Sequence, residues 1–513
     1  MTSTFTLDAL FRFTAAHFGS NKALIIDGRI FSYVDLERLV EEACRILHPH
    51  VRPGDRAGLW LPNTLGFVLG FLALSRLGAI VVPINTRLTA REAQFIVEDA
   101  GMRLLVTTKS YRGRHYLEEA ESIARAHSFT LVAASDHEEP SAWRSILAGN
   151  AEARPLEEIP ADILSIQYTS GTTSTPKGVM LTHASYLSTA RYIARCQMLT
   201  PSSRFVSAAP FFHCGGSVHA ITVCLMAGCS LYGFVSWDPE YFLDVIAEHG
   251  CDVCHAAFYR DIFDLDPAMV RRKLSTLQSM ATIGSRADLM HLHDAFDIPG
   301  VSNLYGMTET SGNFAMWFPN DPLEKRVTRN GRPQLGNAFR IVDPGSGRVC
   351  APGAEGEIQM KGPTVTPGYF RRPDATASAL TPDGWFRSGD LGSLSAEGEL
   401  HYIGRLKDII RVGGENLSPL EVEEELNKFP GILRSCVVGV PDARLDEVPV
   451  AAVVVESAVD WTMVERALRA SIAGFKVPRQ FYVVEALPMT ATQKVRRVEI
   501  RELILSDALQ GKL

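Results

Sequence analysis

The sequence predicts an α/β protein: a large N-terminal domain of layered α/β subdomains plus a β-rich subdomain, followed by a small mobile α+β C-terminal domain. Three observations carry this expectation. Over roughly the first 400 residues, helix-like stretches such as YVDLERLVEEACRIL alternate with short apolar runs such as RAGLWL and AIVVPI. That alternation is how helices layered on a sheet are written. Glycine-rich turns then gather between Gly331 and Gly392, among short strands such as FRIVD and GEIQM and the turn DPGSG, and point to antiparallel pairing. After Gly404 the character changes again. The run GRLKDIIRVGGENLSPLEVEEEL opens a unit with amphipathic helices (PLEVEEEL, VERALRAS) and β-branched strands (CVVGV, VAAVVV), within the usual size of a domain.

A chain of 513 residues exceeds what one core serves and implies about two to four domains or subdomains. The boundary is placed near Arg405, giving 1–404 and 405–513. Apolar residues are 46% and charged residues 21% of the chain, and the formal net charge is −7. An acidic surface argues against nucleic acid as main partner, since a phosphate backbone selects for basic residues. The start, MTSTFTLDALFRF, lacks a basic region followed by an apolar core, so no secretory signal is read. The most apolar stretch, Phe67 to Pro83, is interrupted by Arg76 and ends in a β-branched run; it reads as a buried helix leading into a buried strand, not a membrane span. The ending Gly511-Lys512-Leu513 is too poor a peroxisomal address to invoke.

Nine scattered cysteines fit reduced thiols and a cytoplasmic location. Cys251, Cys254 and His255 form C-x-x-C-H, a spacing used for haem attachment and one that could begin a zinc site. No export signal and no second ligand pair accompany it, and CDVCHAAF reads as a buried strand.

The most informative stretch is YTSGTTSTPKGVMLTH, Tyr168 to His183. Small hydroxyl residues surround Gly171 and end in Pro176-Lys177-Gly178, so backbone amides and the hydroxyls of Ser170, Thr172, Thr173 and Thr175 could converge on phosphate oxygens. Lys177 offers a mobile point charge. The preceding DILSIQ reads as a strand, which puts the loop where open α/β sheets bind ligands. The spacing is not that of a P-loop; the alternative reading is a flexible Ser/Thr loop with a solvated lysine.

YTSGTTSTPKG resembles the signature loop of the adenylate-forming superfamily, which contains acyl-CoA synthetases, adenylation domains of peptide synthetases, and luciferases. The resemblance covers nearly the whole chain, in the family's motif order. It assigns Thr169, Ser170, Gly171, Thr172 and Thr173 to the nucleotide, and Lys177 to its phosphates. In PFFHCGG it implies an acyl pocket lined by His213, Cys214, Gly215 and Gly216, with His213 gating the thiol; a core histidine is the alternative. In NLYGMTET it implies that Tyr305 stacks on adenine, Thr308 bonds the α-phosphate and Glu309 ligates Mg²⁺, a cation suited to carboxylate and phosphate oxygens. Gly306 and Met307 join the acyl pocket. In GWFRSGDLG, Asp390 matches the acid that accepts both ribose hydroxyls; in GRLKD, Arg405 matches a ribose and phosphate contact and Lys407 the hinge. In RVGGENLSPLEVE, Gly413 and Gly414 match the pantetheine path, and in LPMTATQKVRR, Lys494 matches the lysine that bridges the carboxylate and the α-phosphate.

The implied reaction is ATP-dependent adenylation of a carboxylic acid, then thioester formation with CoA, releasing AMP and pyrophosphate. Positioned cations and donors would supply the catalysis, with Lys494, Thr308, Glu309 and Lys177 the catalytic candidates. The small domain would rotate between the two steps. ATP, Mg²⁺ and CoA are the implied cofactors, and a monomer or homodimer with no membrane span is expected.

Three departures from the family stand out. Ser174 and Gln493 replace usual glycines. GSRADL stands where the family usually resembles S-G-A-A-P-L, so Ser285 and Arg286 replace small residues in a pocket wall. Arg286 either reaches a polar group of the substrate or nucleotide, or points to solvent or pairs with an acid such as Asp288. The acyl pocket is expected from His213 to Val218, His255 to Phe258, Ser285, Arg286 and Tyr305 to Met307, with small residues suggesting room for a sizeable, largely apolar acid. Two other functions stay open: a freestanding adenylation enzyme that loads a carrier protein, although no Gly-Gly-x-Ser attachment motif follows the small domain, and a non-catalytic nucleotide-binding protein of this fold.

Overall fold

The computed structural model describes residues 5–127, 129–134, 140–147, 162–169, 176–256, 259–413, 415–442, 444–489, 495–506 and 509. Two compact units emerge, 1–339 with 360–386, and 340–359 with 387–513. The predicted division at Arg405 falls inside the second unit, because Arg405 ends a strand, Leu400–Arg405, that pairs with Phe386–Leu394.

The first unit contains two sheets whose centres are parallel. The nine-stranded sheet runs in the order Arg332–Pro333, Ala315–Met316, Gly300–Tyr305, Ser279–Thr282, Val253–His255, Arg204–Ser207, Ser230–Gly233, Lys22–Ile26, Arg29–Ser32. Six of these strands, from Gly300–Tyr305 to Lys22–Ile26, run parallel, and antiparallel strands close both edges. The seven-stranded sheet runs Arg144–Leu147, Thr130–Ala134, Leu104–Thr108, Arg56–Trp60, Ile80–Pro83, Ile163–Thr169, Lys177–Thr182. Its strands are nearly continuous apolar runs, as expected where helices cover both faces.

Local sequence explains the helices. Tyr33–Leu47 starts at Ser32, whose side chain accepts from Asp35 N while Asp35 answers to the Ser32 backbone, a capping box. Its buried residues Leu36, Leu39, Val40, Ala43 and Leu47 fall at helical spacing. Leu65–Arg76 is buried all round from Leu65 to Ser75 and leads into the buried strand Ile80–Pro83, as the apolar stretch predicts. Arg76 is retained in this environment by Asp8 at 2.6 Å and Glu37 at 2.8 Å. Among the described residues no helix is long and apolar enough to cross a membrane.

The C-x-x-C-H segment is a strand, narrower than CDVCHAAF suggested: Val253–His255, with Cys251 and Cys254 fully buried. All nine cysteines are free, and no cluster of metal-binding side chains exists among the described residues.

The second unit holds strands of the glycine-rich region, of which Phe386–Leu394 and Leu400–Arg405 pair antiparallel, and a separate five-stranded sheet. In the latter, Ile432–Asp442 and Asp446–Val455 form a long hairpin, flanked by Ile410–Val412, Glu415–Leu417 and Phe481–Val483. Helices Pro419–Leu426, Trp461–Ser471 and Arg497–Leu505 bury Val422, Leu426, Val464, Leu468, Ile500 and Ile504.

Candidate functional site

In the first unit the candidate residues collect at the carboxyl ends of parallel strands, where open α/β sheets bind ligands. Thr169 ends Ile163–Thr169 and lies opposite Lys177 in an antiparallel pair, so residues 170–176 connect two registered strands. Ser170, Gly171, Thr172, Thr173, Ser174 and Thr175 lie outside the described residues. The end of the strand that precedes this connection is held through Asp99. Tyr168 donates its hydroxyl to Asp99 at 2.7 Å, and Arg372 pairs with the other Asp99 oxygen at 2.5 Å.

Lys177 and Glu309 are joined by a residue that the motifs did not point to, Tyr369. Its hydroxyl donates to Glu309 Oε1 at 2.9 Å, and Lys177 Nζ lies 5.5 Å from its ring centroid, within cation–π range. Burial, and then the Glu309 charge, push the Tyr369 phenol above its ordinary range, so it is a donor at neutral pH. The backbone supports the grouping. Thr366 N donates to Glu309 O at 2.7 Å, Met180 N to Gly368 O at 3.1 Å, and Phe370 N to Gly178 O at 2.8 Å. Only the Oε1 oxygen of Glu309 is engaged by a side chain among the described residues. A half-buried carboxylate with an oxygen to spare suits a hard divalent cation, so the donor chemistry fits Mg²⁺.

Tyr305 ends the strand Gly300–Tyr305; it is 6% exposed and its ring is 6.1 Å from Phe339. Gly306 and Met307 turn the chain into the short helix Thr308–Thr310, after which Ser311 adopts a left-handed conformation. Cys214–Gly216 is a short helix capped by His213. Gln167 accepts from the Cys214 thiol at 3.1 Å and donates to Ser217 Oγ at 3.2 Å. The glycines here do not leave a void. A Cβ on Gly216 would collide with Pro210 O and Phe211 backbone atoms, and one on Gly306 with Gly312 O and Asn313 Cα. At Gly216 the room suggested by the small residues of His213 to Val218 is filled by neighbouring backbone, and both glycines serve close backbone approach.

Ser285 and Arg286, expected in a pocket wall, open a helix at the end of the strand Ser279–Thr282. Ser285 caps the helix Arg286–Asp294, accepting from Asp288 N at 3.1 Å. Arg286 is exposed and pairs with Glu324 at 3.0 Å, in line with the reading that it meets solvent or an acid. Asp288, the acid considered for it, is taken by Arg260 at 2.5 Å. Ala257 and Phe258 lie outside the described residues.

Beside the short helix, His219 and His255 form a buried pair with Nδ1 of His219 3.1 Å from Nε2 of His255. His219 Nε2 lies 3.1 Å from Ser311 O. Burial lowers the His219 pKa to about 4, and burial together with His219 drives that of His255 well below its ordinary value. Both are neutral at physiological pH.

In the second unit, Asp390 and Arg405 are direct cross-strand neighbours, 2% exposed in the case of Asp390, with Arg405 Nε 3.0 Å from Asp390 Oδ1. The pairing follows from the antiparallel register. Lys407 lies in the turn Leu406–Asp408, and Gly413 follows the strand Ile410–Val412. Gly414, Gln493 and Lys494 lie outside the described residues. Met489 and Val495 form an isolated antiparallel bridge. Just beyond it, Arg497 grips Glu423 through both oxygens, one contact at 2.7 Å, and Val437 N also donates to Glu423 at 2.6 Å.

Tyr369, Asp99, His219 and the Glu423–Arg497 pair escaped the sequence reading. Each meets its partner across 36 to 74 positions, and no local spacing signals such a pairing.

Residues 11–370 match the family of AMP-binding enzymes, and residues 421–494 the AMP-binding enzyme C-terminal domain. A methyl-dioxo-octahydro-indenyl-propanoyl:CoA ligase of Mycobacterium tuberculosis is 34% identical over 94% of this chain and 95% of its own length. A feruloyl-CoA synthase of Amycolatopsis is 31% identical over 92% and 94%. The ATP-bound crystal structure of MatB from Rhodopseudomonas palustris superposes with a TM-score of 0.84 at 27% identity, covering 97% of this chain and 98% of that one. With a family match running through both the strand-end site and the lysine-bearing unit, the chain belongs to the AMP-binding enzyme family.

Proposed function

We propose that this protein is an AMP-forming acyl-CoA synthetase for a sizeable, largely apolar carboxylic acid. It is an acid–thiol ligase: ATP and a carboxylic acid give an acyl-adenylate, and CoA then takes the acyl group. The observation that carries the reading is the Lys177–Tyr369–Glu309 assembly, which sets a cation and an acid around one phenol at the strand ends. Relatives named for a bicyclic propanoyl group and for a feruloyl group support a bulky acid.

In the first half-reaction the acid's carboxylate attacks the α-phosphorus and pyrophosphate leaves. Lys177 sits against the phosphates, with its ammonium placed by the Tyr369 ring. Thr308 donates to the α-phosphate. Tyr369 holds the Glu309 carboxylate in one orientation, so its second oxygen faces a metal. Glu309 would hold Mg²⁺, which supplies neutralisation of charge on phosphate oxygens when bound. Lys494 bridges the carboxylate and α-phosphate; Asp390 accepts the ribose hydroxyls, and Arg405 aligns Asp390. In the second half-reaction the CoA thiol attacks the acyl carbon and AMP leaves, with Gly413 and Gly414 on the pantetheine path and Lys407 as the hinge between the two states.

The test is acid-dependent exchange of pyrophosphate into ATP across an acid library, followed by thioester detection with CoA and with candidate carrier proteins. Exchange with bulky acids and acyl-CoA formation are expected. Exchange with acylation of a carrier alone would make it a carrier-loading enzyme. Absence of exchange across the whole library would leave a non-catalytic nucleotide-binding protein.

A further inference from the structure

The histidine pair has a hydrogen-bond direction that can be worked out. A backbone carbonyl only accepts, so His219 Nε2, 3.1 Å from Ser311 O, must carry the proton. A neutral imidazole has one N–H and one lone pair. His219 Nδ1 is therefore an acceptor, and His255 Nε2, 3.1 Å away, must donate to it. That leaves His255 Nδ1 as a bare lone pair. It points away from His219, because the two ring nitrogens diverge. The atom is buried and has no hydrogen-bond partner among the described residues, in a side chain only 5% exposed. Buried acceptors are normally satisfied, and leaving one bare costs as much as a lost hydrogen bond.

The position of this lone pair matters. His255 is the last residue of Val253–His255, between the ends of Arg204–Ser207 and Ser279–Thr282. This is the carboxyl edge at which the sheet takes its ligand. Its relay ends on Ser311, two residues after Glu309. A Cβ on Gly312 would collide with His219 Nε2 and Cys214 Cβ, so the pair packs between the helix Cys214–Gly216 and the turn that carries Thr308 and Glu309. The nearest polar groups of the strand are already engaged. Ser207 Oγ donates to His255 O at 2.9 Å, and Thr282 Oγ1 to Ala256 O at 3.0 Å. Neither satisfies the ring, and none of these neighbours is an acid that would welcome a cationic donor.

We propose that His255 Nδ1 is a specificity-determining acceptor that selects acids bearing a neutral hydrogen-bond donor, a hydroxyl group, on the acyl skeleton. The inference rests on the acyl-CoA synthetase reading and narrows its substrate class. The hydroxyl donates to His255, and the Ser311–His219–His255 relay prevents the ring from turning into a donor. An acid with a ketone at the same place puts two lone pairs together, and an acid with neither group leaves the lone pair bare. A site built around a buried hydrogen bond discriminates strongly against analogues that lack it.

The experiment compares the hydroxy acid that gives the fastest pyrophosphate exchange with its deoxy and oxo counterparts, in the wild-type protein and in His255→Phe and His219→Leu. In the wild type, kcat/KM for the hydroxy acid is expected to exceed that for either counterpart by about ten- to a hundred-fold. In His255→Phe the hydroxy-to-deoxy ratio collapses towards one. In His219→Leu the relay is cut, His255 can donate from Nδ1, and the hydroxy-to-oxo ratio falls while the hydroxy-to-deoxy ratio changes less. Imidazole ¹⁵N resonances of the wild type should show both histidines protonated at Nε2, with the His255 Nδ1 signal moving on addition of the hydroxy acid and not of the deoxy acid. That reading does not depend on any variant folding. Equal use of the three acids by the wild type, a preference that survives His255→Phe, or a proton on His255 Nδ1 would overturn the proposal, and equal use would mean that a water alone occupies the lone pair. In each of these cases exchange itself still occurs, whereas failure of the synthetase reading would abolish it for every acid.

Discussion

The carboxyl edge of the nine-stranded sheet and the lysine-bearing end of the second unit hold their functional segments by different physics. At the sheet edge, the turn Thr308–Thr310 rests on neutral hydrogen bonds: Ser311 O to His219, His219 to His255, and Thr366 N to Glu309 O. The imidazoles are buried and uncharged. In the second unit, the helix Arg497–Leu505 is tied to the helix Pro419–Leu426 by a buried charged pair, Glu423 with Arg497. Neutral bonds in a dry core fix geometry without a large desolvation penalty. A buried ion pair is stable only while both partners remain. Loss of one group should therefore be local in the first region and drastic in the second.

The sharpest way to break this contrast is Glu423→Ala. It leaves Arg497 buried without its partner and is expected to cost about 3–5 kcal/mol, read as a lower denaturation midpoint and early proteolysis of the C-terminal unit. A loss below 1 kcal/mol would show that the pair is not the anchor. Next is Lys494→Ala. Acid-dependent exchange should fall about a hundred- to a thousand-fold, while thioester formation from pre-made acyl-adenylate is spared; equal loss in both half-reactions would refute the assigned role.

The neutral region predicts a pH dependence. His219 has a folded pKa of about 4 against an ordinary 6.5, so the unfolded chain binds the proton more readily. Its contribution is fully present above pH 6.5 and is lost as pH falls towards 4, on the order of 3 kcal/mol. The urea midpoint should drop over that window, and a flat midpoint would mean that the pair is not held neutral. A smaller effect is expected for Tyr369→Phe. One hydrogen bond to a charged group is worth about 1.5–3 kcal/mol, so exchange should fall at least about ten-fold, with a raised Mg²⁺ requirement and the fold intact. The smallest belongs to Arg286→Ala, which breaks an exposed pair with Glu324 worth about 0–1 kcal/mol and should leave the kinetics of ATP and acid unchanged.

The order of motifs, the layered α/β character, the strand before the hydroxyl-rich loop and the capped amphipathic helices were legible without coordinates. Each depends on residues close in sequence, where periodicity and turn chemistry act directly. Asp390 and Arg405 were legible as separate motif positions, and the register of two antiparallel strands then put them opposite each other. Partner choice was not legible. Arg286 could pair with Asp288 on its own helix, yet Arg260 holds that acid and Glu324 takes the arginine. The small residues around Gly216 suggested room, yet neighbouring backbone occupies the space beside it. Glu309 met Tyr369 across 60 positions, and His219 met His255 across 36. Chemistry that a motif carries within a few residues is written locally; which buried group receives a hydrogen bond, and which lone pair is left for a substrate, depends on how distant strands and helices pack, because burial and direction exist only once those elements meet.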